Sequence, residues 1–326
     1  MATEIITERE VWDPFVKRSP YGTLFHRWDF FKTVEHHSGF RFLPLALRKG
    51  EAIHWLVPLF LSRKFGVKTL VSTLLKSAVP YLGPVPSPDF DGLRQYRRES
   101  HLLLLSEEIR GLVREHCPDF TYLSPGPGFT DIRPFLWDGY DAGVNYTYVL
   151  NLSGSLDAIW KSLTTKKRVG ITHARKMGYA VRRSTDVRPI YDMATRRYAE
   201  QGRTIPLISH GYLADLQRTF PDELEVHHLL LNGTIEGGMV VVMDSRARAW
   251  LGTTRTADHG NELLYWSVIE GAKTAGAPLF ELVGANTRYI SRFKSGFNPD
   301  LEAYFTLTRR NTLGTLAEKL FRLVRP

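Results

Sequence analysis

The chain has 326 residues, enough for two domains of ordinary size, and its 43% hydrophobic and 24% charged content is that of a packed globular protein rather than a disordered one. The single cysteine, Cys117, excludes an internal disulfide framework and a thiolate metal site of its own, so a small buried side chain in a reducing compartment is expected there. A net charge of +9 directs the chain toward anionic partners, whereas no run has the pattern of a zinc finger, a helix-turn-helix or an RNP aromatic signature, so DNA reading is excluded.

The amino terminus carries Glu4, Glu8 and Glu10 and no apolar core of a signal peptide, so a cytoplasmic location without a start anchor is expected. Residues 53–62 form an apolar stretch that contains Pro58 and falls short of the roughly 20 residues needed to cross a bilayer, so it reads as a core strand. Two helical patterns occupy residues 10–38, the second starting near Trp28 and closing at Gly39. His36 and His37 lie in its last turn about 100° apart, which suits the helix C-terminus rather than one shared metal. Residues 40–47 and 52–61, joined by Arg48-Lys49-Gly50-Glu51, predict a β-hairpin. Residues 79–86 are too rich in Pro and Gly for regular structure and read as a loop beside the sheet. A helix over 90–116 and a strand over 120–123 follow, an order that is α/β.

Pro125-Gly126-Pro127-Gly128 reads as a linker and residues 146–152 as a strand, which places a boundary near residue 150 and gives domains of 1–150 and 151–326. Ser155 is a cap for a helix through Trp160, and a second helix from Thr165 carries Lys166-Lys167-Arg168. A strand over 179–183, helices over 186–201 and 210–220, and strands over 224–231, 237–243 and 247–253 come next. The turns Asn232-Gly233 and Asp244-Ser245-Arg246 separate the last three strands.

After a loop, a helix over 261–275 leads to the most informative stretch, residues 278–297. Leu279, Phe280, Leu282 and Val283 predict a buried strand ending at Gly284, with Glu281 as the anomaly inside it. Ile290, Phe293 and Phe297 then fall at i, i+3 and i+7 and predict an apolar seam flanked by Arg292 and Lys294. A lysine there can lay its methylenes on the seam and hold its ammonium at a pocket mouth, where a phosphate or a developing oxyanion would be stabilised.

Three meander strands, a loop, a helix and a further strand give the order of the GNAT acyltransferase fold, in which a Gly-rich loop holds the pyrophosphate of coenzyme A. The loop over 254–262 lacks that family's pattern of Arg or Gln, two residues, Gly, one residue and Gly or Ala, which weighs against coenzyme A. The whole chain resembles the FemABX-like family of this superfamily, the peptidoglycan bridge-forming aminoacyltransferases. The resemblance is carried by Trp160 with Lys167-Arg168, by Ala174-x-x-x-Gly178, by Asn232-Gly233 with Gly237, by Leu263-Leu264-Tyr265-Trp266, and by F-E-L-V-G followed by R-F-K-S-G-F. Leu24-Phe25 with Trp28, Val57-Pro58-Leu59 and Tyr81-Leu82-Gly83-Pro84 resemble the family's amino-terminal domain.

The resemblance implies two tandem GNAT-like domains, each a mixed, largely antiparallel sheet flanked by helices, with a cleft between them. It implies transfer of an aminoacyl or acyl group to an amine of a cell-envelope precursor or glycan, as in cell wall biogenesis. The favoured donor is aminoacyl-tRNA, with acyl-coenzyme A or a catalytically silent binding module as alternatives. No tightly bound cofactor or metal is expected. The partners implied are an anionic phosphorylated precursor or glycan and tRNA, with peripheral membrane contact left open. The family's second-domain lysine maps onto Lys294, and Glu281 stands where relatives commonly carry an aspartate, so these two form the catalytic set. The substrate-binding set is Lys167, Arg168, Arg292, Tyr81, Trp28 and Asn261.

Overall fold

The computed structural model describes residues 2–255 and 258–324. In chain order the elements are β1 (Ala2–Ile5), α1 (Arg9–Arg18), α2 (Trp28–Ser38), β2 (Arg41–Lys49), β3 (Ala52–Lys64), β4 (Val67–Val71), β5 (Val85–Pro86), α3 (Gln95–His116), β6 (Phe120–Leu123) and α4 (Arg133–Trp137). There follow β7 (Asp141–Asn151), α5 (Leu156–Ser162), α6 (Thr165–Lys176), β8 (Tyr179–Ser184), α7 (Arg188–Glu200), α8 (His210–Thr219), β9 (Leu224–Leu231), β10 (Thr234–Met243) and β11 (Ala247–Thr254). The chain closes with α9 (Gly260–Thr274), β12 (Leu279–Glu281), α10 (Arg288–Lys294), β13 (Asp300–Arg310) and α11 (Thr312–Val324).

The chain divides into one unit of Met1–Asn145 with Tyr304–Pro326 and another of Tyr146–Ala303. The sequence reading kept residues 151–326 together. The carboxy-terminal segment belongs to the first unit because β13 pairs antiparallel with β6, Leu307 facing Leu123 and Arg310 facing Phe120. Asn311 then bonds Asp119 through both its backbone and its side chain.

Both units are mixed α/β with the same succession of pairings. In the first, β1 to β4 form an antiparallel meander, β4 runs parallel to β6, and β13 closes the far side antiparallel. In the second, β8 to β11 form the meander, β11 runs parallel to β12, and β7 closes antiparallel. Alternation sorts the faces. Leu43, Leu45 and Leu47 of β2 pack with Leu102, Leu105 and Ile109 of α3. Phe42 points the other way, stacked 4.3 Å from Phe31 of α2 and 5.8 Å from Trp12. In the second unit Met239 and Val241 face Leu264 and Val268 of α9. Gly238 faces Ile190 of α7, where an added Cβ would stand 2.6 Å from the isoleucine. β10 is thus covered on both faces, which is why its sequence reads as a continuous apolar run.

Three expectations need correction. Cys117 is exposed, because it ends α3 in the left-handed conformation (φ 43°) instead of facing the core. The strand expected over 279–283 stops at Glu281, because Val283 and Gly284 both adopt positive φ (52° and 69°) and turn the chain out of the ladder. The expected apolar seam of α10 is also rotated: Phe293 and Phe297 face the core, 5.4 and 5.7 Å from the ring of Tyr265, while Ile290 is 40% exposed. The position that enters the core between them is Lys294.

Candidate active site

β11 and β12 are paired in register at Ala247–Phe280 and Arg248–Glu281 only. Beyond Arg248, β11 continues to Thr254 after its register with β12 has ended. The two charged residues at the point of parting meet. Glu281, fully buried, accepts from Arg248 Nε at 3.2 Å and from Thr147 Oγ1 of β7 at 2.8 Å. Arg248, 2% exposed, also donates to the Asp244 carboxylate and, at 3.1 Å, to the carbonyl of Arg246. Sequence reasoning found Glu281 and missed Arg248 and Thr147. The signal for Arg248 was a charge inside the apolar run A-R-A-W-L of the neighbouring strand.

β7 continues alongside the chain past β12. Leu282 N–H donates to Tyr148 O at 2.8 Å and Ala285 N–H to Tyr146 O at 3.0 Å, with Val283 and Gly284 looped out between them. A β-branched residue in the left-handed region costs on the order of 1–3 kcal/mol and needs surroundings that hold it. The holder is Lys294. Its Nζ donates to the carbonyl of Val283 and, at 3.4 Å, to that of Gly284. The expected free ammonium at a pocket margin is therefore corrected: Lys294 is buried and engaged by the turn. Burial lowers its pKa from 10.5 to about 8, against the upward pull of the Glu281 charge. α10 is itself tied to β7 by a 2.8 Å hydrogen bond between Ser291 Oγ and the hydroxyl of Tyr148.

A second cluster surrounds the start of α9. Lys167 of α6 reaches Glu262 Oε1 at 3.2 Å and lies 3.4 Å from the centroid of the Phe293 ring. Its stem fills the space beside Gly296, where a Cβ would come within 2.9 Å. Lys167 is therefore buried, and the desolvation lowers its pKa while Glu262 opposes the shift. His259, at the N-cap with φ 62°, lies 3.6 Å from the same carboxylate oxygen. Glu262 in the first turn complements the positive end of the helix. Part of the loop expected to approach coenzyme A, Thr256 and Ala257, lies outside the described residues.

The remaining residues of the predicted set are placed as follows. Asn261 is half-buried in the first turn of α9, Arg168 is half-buried with a 3.3 Å contact to Thr165 Oγ1, and Arg292 is exposed on α10. In the first unit Tyr81 is 3% exposed against Tyr304 and Gly126. Trp28 is half-buried beside Trp12 and Phe42, its backbone N–H on Asp13 Oδ1 at 2.8 Å. The structure thus brings Glu281 and Lys294 into one electrostatic environment and groups Lys167 with the start of α9. Among the described residues there is no group of three or more His, Cys, Asp or Glu side chains able to hold a metal.

Residues 162–291 match the model of the acetyltransferase (GNAT) domain family. This stretch is a GNAT acyltransferase domain. No curated protein matches the chain in sequence. Among solved structures, FemX superposes with a TM-score of 0.69 at 12% identity, covering 94% of this chain and 97% of FemX. The lysylphosphatidylglycerol synthase L-PGS from Bacillus licheniformis gives 0.59 at 12% identity over 98% of both chains. A tandem GNAT protein from the clavulanic acid biosynthesis pathway gives 0.54 at 13% identity, covering 94% of this chain and 98% of that one. At such identities the likeness is one of fold, and the fold is the FemABX-like GNAT architecture. The match over 162–291 runs from α6 into α10 and includes Lys167, Arg248, Glu262 and Glu281, ending before Lys294.

The Arg248–Glu281 pair gives the first test. Removing one partner of a buried ion pair strands the other charge, at a cost of about 3–5 kcal/mol. Glu281→Leu and Arg248→Met should each lower the unfolding free energy measured by urea titration by that order, and the double variant should be less destabilised than the sum of the two. Additive losses would show that the pair is not coupled.

Proposed function

We propose that the chain is an N-acyltransferase that moves an aminoacyl group from an aminoacyl-tRNA to an amine of a cell-envelope precursor or glycan. The observation that carries the choice of donor is the carboxylate of Glu262 in the first turn of α9, held there by Lys167. In the GNAT arrangement this helix end receives the pyrophosphate of coenzyme A, and here a side-chain carboxylate already occupies the favourable end of the helix dipole. The acceptor class is supported by the likeness to FemX and to a lysylphosphatidylglycerol synthase, the latter named for an aminoacylated lipid. Transfer from a tRNA ester to an amine needs no cofactor: the amine attacks the ester carbonyl, a tetrahedral oxyanion forms, and its collapse breaks the ester C–O bond as the amine's proton passes to the departing ribose oxygen.

In this reading Lys294 serves as the catalytic cation. With a pKa of about 8 it carries its proton at neutral pH and still lies close to the range in which proton transfer is efficient. Glu281 acts through position: with Arg248 it fixes the point where β11 and β12 part, and its charge keeps Lys294 protonated. Lys167 orders Glu262, and Arg168, Arg292 and Asn261 are the proposed contacts for phosphates of the donor or acceptor. Trp28 and Tyr81 remain proposed acceptor contacts of the first unit.

Two measurements test this. Calorimetry with acetyl-coenzyme A should detect no low-micromolar binding, and tight binding would favour an acyl-coenzyme A-dependent N-acetyltransferase instead. With the transfer assay in hand, Lys294→Met should lower kcat about 10²-fold, the scale of losing one oxyanion donor, with a smaller change in KM. A variant with wild-type kcat would remove Lys294 from the chemistry and leave it the support of the Val283–Gly284 turn.

A further inference from the structure

Over residues 312–320, α11 docks through the face that carries Gly314 and Glu318. Gly314 sits so close to the carbonyl of Asp119 that a Cβ would stand 2.0 Å from the oxygen. Glu318, one turn later on the same face, pairs with Arg310. These contacts turn Leu313, Leu316 and Leu320, at i, i+3 and i+7, away from the unit, and they are 45%, 54% and 54% exposed. Asp119 also fixes the neighbouring hairpin: its Oδ2 accepts from Lys68 N–H and its N–H donates to Lys68 O, both at 2.8 Å. Lys68 pairs with Arg63, and Lys64 with Val67, so the turn between β3 and β4 is Phe65-Gly66.

That turn breaks a local rule. Both central residues have positive φ (52° and 80°), which a two-residue hairpin of this hand ordinarily meets with Asn-Gly. Here the first position holds a phenylalanine that is wholly exposed, so no packing within the chain repays the conformation. Arg63 on the hairpin and Lys319 on the helix are exposed, while the ammonium of Lys64 is turned to the carbonyl of Ser38 at 3.1 Å and to the ring of Phe40. The leucine stripe and the aromatic tip are thus both exposed, carry Arg63 and Lys319 on the same two elements, and are linked through Asp119. A projecting tip and an amphipathic helix with basic flanks suit a deformable anionic surface, into which both can press, better than a rigid protein groove.

We propose that α11 and the Phe65-Gly66 turn form a docking surface for an anionic lipid bilayer. Phe65 and the three leucines enter the headgroup boundary, and Arg63 and Lys319 lie against lipid phosphates. No helix among the described residues is long and apolar enough to cross a membrane, so the contact is interfacial. The proposal goes beyond the transfer reaction, and its test needs no donor or acceptor.

Sucrose-loaded vesicles of equal parts phosphatidylglycerol and phosphatidylcholine should sediment the full chain, and vesicles of phosphatidylcholine alone should not. Binding should weaken as salt rises from about 0.05 to about 0.5 M, because the Debye length shrinks. Phe65→Asn supplies the residue the turn prefers, so it should keep or raise the Tm while lowering vesicle binding roughly tenfold, as loss of a buried apolar side chain would. Leu316→Glu with Leu320→Glu should lower it at least as much, at unchanged far-ultraviolet circular dichroism. Absence of sedimentation with phosphatidylglycerol vesicles would overturn the proposal, as would binding that both variants leave intact. A wild-type dimer in light scattering that the leucine variant dissolves would overturn it by naming a second copy as the occupant.

Discussion

One buried ion pair governs the geometry of the second unit. Parallel strands normally hold each other through a ladder of backbone bonds, but β11 and β12 share only two register positions before they separate. At the last of these Arg248 and Glu281 face each other in the interior, with Thr147 and Asp244 taking up further bonding capacity. Two charges removed from water pay several kcal/mol each in lost hydration, so such a pair is a poor means of adding stability. Its value lies in specificity: an arginine fork and a carboxylate accept few alternative arrangements. A hydrophobic pair at the same point would tolerate slippage, and with it a change in where the parting begins.

The features downstream depend on that fixed point. Because β12 ends at Glu281, the chain can loop out Val283 and Gly284 while Leu282 and Ala285 stay bonded to β7. The two carbonyls turned inward by this loop form the seat of Lys294, and the lysine in turn stabilises a backbone conformation that a valine resists. Desolvation and the Glu281 charge then act on the ammonium in opposite directions. The same helix-and-turn segment presents Phe293 and Phe297 to Lys167, whose partner Glu262 occupies the start of α9. Both charged clusters are therefore set on one short stretch of chain, from β12 to the 3-10 turn Ser295–Phe297.

Much of this was legible in the sequence, for identifiable reasons. The meander from β9 to β11 declares itself through Asn232-Gly233 and through β-branched runs, the order of elements led to the GNAT fold, and the motifs gave the resemblance to the FemABX-like family. Glu281 stood out as a charge inside an apolar run, and Lys294 through the family resemblance and its place beside the expected seam. What periodicity could not supply was the phase of α10. The spacing of Ile290, Phe293 and Phe297 drew the seam one position away from its real place, because a short helix offers too few turns to average over and Phe297 belongs to the 3-10 turn beyond it. The positive φ of Val283 left no trace at all, since valine is among the least expected residues there. The partner of Glu281 was hidden for a different reason: parallel pairing between strands more than thirty residues apart is a property of topology, which local pattern does not encode.

The carboxy terminus shows the same division. The alternation of β13 is ordinary, but only its pairing with β6 reveals that it completes the first unit's sheet. Once that is known, Asn311 and Gly314 acquire reasons: one bonds Asp119, the other leaves room for it.

The account rests on Lys294 being a buried lysine whose charge is set by its seat, and its titration is the most direct measurement. With lysine labelled by 13C at the ε carbon, and the Lys294 signal identified by its loss in Lys294→Met, the account predicts a resonance titrating near 8, apart from the solvent-exposed lysines near 10.5. A Lys294 signal that titrates with the exposed lysines would contradict it, because the ammonium would then be in water and the coupling of turn, ion pair and cation would not exist.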